Sequence, residues 1–163
     1  MRSIRMAFAL IAAAGAPLAW GAVSDGNDCG GFTAAEAAAW LKVAPAQVTR
    51  EVSRAGDKWV CAFSVGKSPA IAFSVSVASN ARRATSDLEH YRDDLAAEGD
   101  KPGWKGRLPN GVYSDMFGAG DEAVWTDISG KLTVRRENVT VQFTLPKGKD
   151  AQLSLGKEVT GGF

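Results

Sequence analysis

Few residues in this sequence are of a type that could perform acid–base chemistry. His90 is the single histidine among the 163 residues, and it lies in a charged stretch beside Glu89. A catalytic histidine needs a nucleophile on one side and an orienting carboxylate on the other. Helical spacing places His90 off the apolar stripe of its segment, which is typical of a solvated surface residue. We therefore predict no catalytic residues and expect the chain not to be an enzyme, with a hydrolase kept as an alternative.

Two acidic pairs, Asp93–Asp94 and Asp121–Glu122, are the remaining candidates for chemistry. Hydrolysis by paired carboxylates needs acids on opposite sides of a cleft, one of them with a raised pKa, and adjacent acids on a helix do not supply this. The Asp121–Glu122 pair follows two glycines and could ligate a hard cation, but a calcium loop needs more oxygen ligands in register. We favour the alternative that these residues form a turn, in which the Asp121 side chain hydrogen-bonds to its own backbone. We predict no metal site and no cofactor.

Trp104 is the residue whose surroundings most favour recognition of a partner. It lies in a loop rich in Gly and Pro and is flanked by Lys101, Lys105 and Arg107. Tryptophan and arginine contribute more than their share to binding at protein interfaces. These four residues are therefore our candidate partner-binding site, and the ring could also stack on a sugar. In the alternative interpretation, Trp104 folds back onto the sheet and buries its ring as a lid.

The chain contains two cysteines, Cys29 and Cys61. In an oxidising compartment an even pair predicts a disulfide, and we expect one between these residues. Two free thiols are the alternative for a cytosolic protein. Zinc is not expected, because a structural site takes four nitrogen or sulfur ligands and the chain offers one histidine beside the cysteines.

Residues 1–22 have the three-part pattern of a secretory signal peptide. Arg2 and Arg5 precede an apolar run from Met6 to Ala16, and Pro17 and small residues follow. The run is short for a membrane-spanning helix, so we expect no stable membrane anchor. We predict cleavage after Ala22, a periplasmic or secreted protein, and a single domain over 23–163.

The net charge that remains after removal of residues 1–22 limits the classes of partner that we expect. Residues 1–22 contain two of the 19 basic residues and none of the 18 acidic ones, which leaves 17 against 18 and a net charge of −1. Proteins that bind nucleic acid carry a basic footprint, so we expect no nucleic-acid partner. The sequence leaves the oligomeric state open.

Hydrophobic periodicity and turn residues divide the chain into elements. Thr33 and Glu36 form a capping box that starts a helix to about Lys42. Asn80 caps a second helix to about Glu98. Strands are predicted over 48–54, 59–65, 70–78, 112–117, 123–127, 131–136 and 139–145, the first of them marginal. The tail from Pro146 is polar and is expected to form a short helix or to fray.

The segment 70–78 alternates most regularly, with Ile71, Phe73 and Val75 on one side and Ser74 and Ser76 on the other. Such alternation indicates a sheet with one covered face and one wetter face. We therefore predict an α+β fold, with an antiparallel sheet of about six strands and two helices packed on one face. The second helix is expected to lie across the covered face.

Three stretches support a resemblance to a known group. They are Asp28–Cys29 followed by FTAAEAAAWL, then WVCAFSV, then GAGDEAVW with KLTVRRENVTVQF. Together they resemble small bacterial envelope proteins and lipoproteins of largely unknown function, a group similar in fold to the PsbP-type α/β sandwich. The resemblance implies this fold and a non-enzymatic role, and it offers no catalytic residues. This chain lacks the lipid-attachment cysteine of such lipoproteins.

These observations favour a soluble exported module that binds another envelope or secreted protein. An inhibitor of an envelope enzyme, or an immunity-type protein for a toxin, would fit the small size, the disulfide and the Trp104 loop. A periplasmic protein that binds a small molecule or glycan between sheet and helix is the alternative from a different class. A filled core without a pocket between sheet and helix would rule out that alternative.

Overall fold

The computed structural model describes residues 29–108, 111–161 and 163, so the predicted signal peptide and residues 23–28 lie outside it. The strands are β1 Val48–Ala55, β2 Lys58–Val65, β3 Ser68–Val77, β4 Tyr113–Met116, β5 Glu122–Thr126, β6 Lys131–Arg136 and β7 Val139–Leu145. The helices are α1 Ala34–Leu41, α2 Ala81–Gly99 and α3 Lys149–Gly161. All strand pairs are antiparallel, in the order β1-β2-β3-β7-β6-β5-β4.

The structure confirms the α+β class, the antiparallel sheet and the Cys29–Cys61 disulfide. In the described part of the chain the sheet has seven strands rather than about six, because the marginal segment at 48–55 forms a full edge strand. The tail, for which we expected a short helix or fraying, forms the 13-residue helix α3. It buries Leu155 and Val159 against the sheet, which a frayed tail would leave in water.

Alternation of side chains gives the sheet an apolar face, and α1 and α3 both pack on it. Phe63, Phe73 and Phe143 project from three strands into the same core as Phe32, which precedes α1. The rings of Phe32 and Phe63 are 5.2 Å apart edge to face, and those of Phe73 and Phe143 are 5.5 Å apart. Such contacts add to the free energy gained by removing the rings from water.

Helix α2 lies on the opposite, polar face, so the prediction that it crosses the covered face was wrong. Its buried residues Leu88 and Leu95 pack on Val124 of β5, with Tyr91 and Tyr113 beside them. The apolar face is already occupied by α1 and α3. The more extensive contacts of the helix are with β4, β6 and β7, so it covers only part of this face.

A buried glutamine joins α3 to the sheet. Gln152 is fully buried, and its Oε1 accepts a hydrogen bond from the Leu132 amide at 2.7 Å. Its Nε2 donates to the carbonyl oxygens of Gly130 and Pro146 at 3.1 and 2.8 Å. Buried polar groups cost little when all their hydrogen bonds are made. This side chain therefore explains why a helix with few apolar residues docks in one position.

The disulfide connects the segment before α1 to β2, the neighbour of the edge strand β1. Both cysteines are fully buried, and 32 positions of sequence separate them. Cys61 lies on β2 between Trp59 and Phe63, on the apolar face. The bond thus holds Phe32 and α1 over this face of β2 and β3.

We expect the Cys29→Ser/Cys61→Ser double variant to be less stable than the native chain by roughly 3–4 kcal/mol, because the bond restricts the unfolded state. Urea unfolding followed by circular dichroism measures this difference. A reducing agent should lower the midpoint of the native protein and leave that of the double variant unchanged. Equal midpoints for the native and double-variant proteins would show that the bond contributes nothing.

Candidate functional site

An open groove lies between α2 and the polar face of the sheet. Its cavity volume is about 570 Å³, within the range of small-molecule sites. The groove is lined by Asp57, Lys58, Ser74, Ser76, Val77, Ala78, Ser79, Arg83, Asp87, Leu88, Tyr91, Thr133, Thr140 and Gln142. It exists because α2 covers only part of this face.

The floor of the groove consists of two rows of polar side chains that run across the strands. In the first row, Ser74 of β3 pairs with Gln142 of β7, and Gln142 pairs with Thr133 of β6. In the second row, Ser76 of β3 pairs with Thr140 of β7. Directly opposed residues in an antiparallel sheet project from the same face, so these five side chains all point into the groove.

Much of the hydrogen-bonding capacity of the floor is unused by the protein. Gln142 Nε2 donates to Thr133 Oγ1 at 3.2 Å, which orients the amide. Within the described residues, the hydroxyls of Ser74, Ser76 and Thr140 have no hydrogen-bond partner. Each hydroxyl offers one donor and two acceptor positions. The floor therefore presents a regular set of neutral hydrogen-bonding groups to a ligand.

Helix α2 forms the wall of the groove and supplies both charged and apolar groups. Arg83 and Asp87 lie one turn apart and form an ion pair at 2.9 Å. Farther along the helix, Leu88 is buried against Val124 of β5, and the half-buried Tyr91 adds apolar surface to the wall. With Asp57 and Lys58 at the open end, the lining side chains include two acidic and two basic groups.

A network of charged side chains anchors α2 beside the groove. Glu122 of β5 accepts a hydrogen bond from Arg135 of β6 at 2.7 Å and another from Arg92 of α2 at 3.2 Å. Arg92 also contacts Asp115 of β4 at 3.0 Å. Arg135 contacts Asp121 at 3.1 Å. The network thus joins the helix to β5 and β6 through the shared carboxylate of Glu122, and to β4 through Asp115.

The network shifts the ionisation of its members. Burial alone would raise the pKa of Glu122, but hydrogen bonds and positive charge from Arg135 and Arg92 outweigh it and hold the pKa below the ordinary 4.5. Burial would lower the pKa of Arg92, yet Asp115 and Glu122 raise it overall. Within the described residues, Arg92 Nε is buried without a partner, which is a cost of this docking.

Asp121 and Glu122 therefore have structural roles. Asp121 Oδ2 accepts a hydrogen bond from the Glu137 amide at 2.7 Å, so it holds the β6–β7 turn and not its own backbone, which corrects the prediction from sequence. Gly120 has φ +58°, and a Cβ there would collide with the carbonyl oxygen of Arg135. The glycine before the acidic pair thus permits a close approach between two chain segments.

The candidate partner-binding loop lies apart from the groove. Trp104 is half-buried, so its exposure does not distinguish between an exposed partner-binding ring and a ring buried on the sheet. Lys105 and Arg107 are exposed, and Lys101 forms an ion pair with Glu98. None of the loop cations or Trp104 lines the groove. A role of this loop in partner binding stays a prediction.

None of the groove residues is predicted as a site from the sequence. Ser74 and Ser76 are visible there only as the polar half of one alternating strand, and Thr133, Thr140 and Gln142 come from strands far along the chain. His90 is exposed on α2. Among the described residues there is no cluster of three or more His, Cys, Asp or Glu that could hold a metal ion, and no helix long and apolar enough to cross a membrane.

Comparisons with protein families, with curated proteins and with solved structures find no match for this chain. The resemblance to small envelope proteins therefore stays a prediction. The shape of the groove and its hydrogen-bonding groups are the features from which a function can be inferred.

We expect Glu122→Gln to weaken the docking of α2 and to cost about 1–3 kcal/mol of stability at neutral pH, because Arg92 and Arg135 lose their charged acceptor. Because the folded pKa of Glu122 is lowered, its contribution is present above about pH 4.5 and is lost as the pH falls through the folded value. Urea unfolding between pH 7 and pH 2 should therefore show a shallower acid loss for the variant.

The exposed residue Glu89 on α2 provides the matched control. Glu89→Gln should reproduce the native midpoint at neutral pH and the native acid slope. If Glu122→Gln and the native chain lose stability in parallel on acidification, then Glu122 is not an anchor of the helix.

Proposed function

We propose that this chain is an exported binding protein whose groove takes a neutral carbohydrate. The observation that carries the proposal is the groove floor, where the hydroxyls of Ser74, Ser76 and Thr140 lie in register without partners among the described residues. A carbohydrate presents many hydroxyl groups, each a donor and an acceptor, to such a surface. Tyr91, which is half-buried in the wall of the groove, adds an apolar surface for the C–H groups of a sugar ring.

The balance of charge favours a neutral ligand over an anionic one. Lys58 and Arg83 are offset by Asp57 and Asp87, and Arg83 is already paired with Asp87. A phosphate or carboxylate ligand would be held by surplus Arg or Lys groups. The groove lacks such a surplus among its described lining residues. Neutral hydroxyl-rich molecules are therefore the class that the lining complements best.

The position of the groove within the sheet disfavours an extended peptide. Peptides that bind to sheets usually pair their main chain with a free edge strand. The floor strands β3, β7 and β6 are each paired on both sides, so their main-chain groups are occupied. The floor therefore offers a ligand side-chain hydroxyls and one amide instead of a backbone ladder.

The disulfide supports a location outside the cytosol, because disulfides persist in oxidising compartments. Together with the predicted signal peptide over 1–22, the disulfide supports our proposal that the protein acts in the periplasm or outside the cell. Carbohydrates of the cell envelope would be accessible there.

The proposal is tested by isothermal titration calorimetry with three linear neutral glycans: maltohexaose, cellohexaose and chitohexaose. At least one should bind. The double variant Ser76→Ala/Thr140→Val removes two floor hydroxyls, each worth about 0.5–1.5 kcal/mol, so binding should weaken roughly 5- to 150-fold. The melting temperature should change little, because neither hydroxyl has a partner among the described residues.

Thr144 offers a matched control, since it is exposed on the same strand β7 and lies outside the groove lining. Thr144→Val should leave the affinity unchanged. Absence of binding to all three glycans, or equal weakening by both threonine substitutions, would contradict the proposed function. Tight binding of a peptide that the double variant abolishes would replace it with a peptide site.

The Trp104 loop supports a second candidate function, the binding of an envelope or secreted protein. The observation that favours it is the exposure of Lys105 and Arg107 around an aromatic ring that is only half-buried. Aromatic and basic residues together are typical of interface hot spots. This surface is separate from the groove lining, so both functions are compatible in one molecule.

We expect Trp104→Ala to abolish capture of an envelope partner in a pull-down while changing the melting temperature little. The same variant should bind glycans as the native chain does, because Trp104 does not line the groove. A large loss of stability with unchanged capture would assign the ring to the lid interpretation instead.

A further inference from the structure

We infer that the groove recognises the end of an oligosaccharide chain rather than a single sugar or an internal stretch of polymer. This inference rests on the proposed function and adds the length and orientation of the ligand. It is carried by the length of the groove and by the difference between its two ends.

The groove is longer than one sugar ring. Its lining begins at Lys58 on β2 and reaches Thr133 on β6, with β3 and β7 between them. Neighbouring strands are about 4.8 Å apart, so three steps across the sheet correspond to about 14 Å. The polar rows continue across this distance through Ser74 and Gln142. A ligand that uses the whole floor must therefore contain several linked rings.

The inner end of the groove is closed. Leu88 of α2 is 2% exposed and packs on Val124 of β5, the strand just beyond Thr133. The network of Arg92, Glu122 and Arg135 holds the helix on the sheet immediately beyond this contact. A sugar chain cannot pass between the helix and the sheet here. A ring at this end of the groove must therefore be a terminal ring.

The outer end of the groove is open. Asp57 and Lys58 lie in and after the β1–β2 turn and are exposed. Beyond them lies the edge strand β1, whose small residues Ser53 and Ala55 pair with Val60 and Lys58 and are exposed. The remainder of a chain can therefore leave across this surface. Lys58 lies where it would contact the second or third ring and not the terminal one.

The inference is tested with the hexasaccharide of the panel that binds most tightly and with its shorter homologues down to the monosaccharide. Affinity should rise at least about tenfold from the monosaccharide to the trisaccharide and then level off. Lys58→Ala should weaken the trisaccharide and longer ligands about three- to tenfold and leave the monosaccharide unchanged. Lys67→Ala, at an exposed lysine outside the groove lining, is the control and should change none of them.

A second measurement tests recognition of the chain end. A biotin group is attached to one terminal ring of the hexasaccharide, and in a separate sample to the other. One label should abolish binding, because that ring must enter the closed end, and the other should be tolerated. If both labels are tolerated, or if the monosaccharide binds as tightly as the hexasaccharide, this inference is wrong while the proposed function stands. If no glycan of any length binds, the proposed function itself fails.

Discussion

Helix α2 rests on a face of the sheet that offers it little apolar surface, and one carboxylate compensates for this. Glu122 lies between Arg92 of the helix and Arg135 of the sheet, and each is only partly accessible to water. Charges attract more strongly in such surroundings than on an open surface. Removing Glu122 would leave Arg92 with Asp115 and Arg135 with Asp121 as their remaining ion-pair partners, so both arginines lose the carboxylate that links them. The position of the helix, and the groove beside it, depend on this junction.

The turn that precedes Glu122 explains how the carboxylate comes to be in place. Gly120 adopts a conformation that places its backbone against Arg135, and the amide of Asp121 donates to the Arg135 carbonyl oxygen at 2.8 Å. The Asp121 side chain then holds the Glu137 amide of the next turn. Glycine and aspartate at these positions therefore serve the ion-pair network, which gives a physical reason for the GAGD stretch.

The apolar face of the sheet forms the core of the fold, and the polar face carries the proposed binding groove. On the apolar face, the disulfide, the phenylalanine cluster and two helices fill the core, and Gln152 satisfies the backbone groups around α3. On the polar face, the single helix α2 covers only part of the strands. The uncovered hydroxyls cost little in stability because water reaches them. The same incomplete coverage makes them available to a ligand, and this is the physical basis of the proposed function.

The sequence by itself determined the elements whose signals are local. Strict alternation in β3, the Thr33–Glu36 capping box and the paired cysteines each depend on neighbouring residues or on a simple count, and the structure confirms all three. The tertiary structure decided which face α2 covers, because an apolar stripe shows that a helix packs without showing on what. It also decided the groove, since Ser74 and Gln142 become neighbours only through the long-range pairing of β3 with β7. Register between distant strands reflects the packing of the whole sheet, and no local pattern contains it.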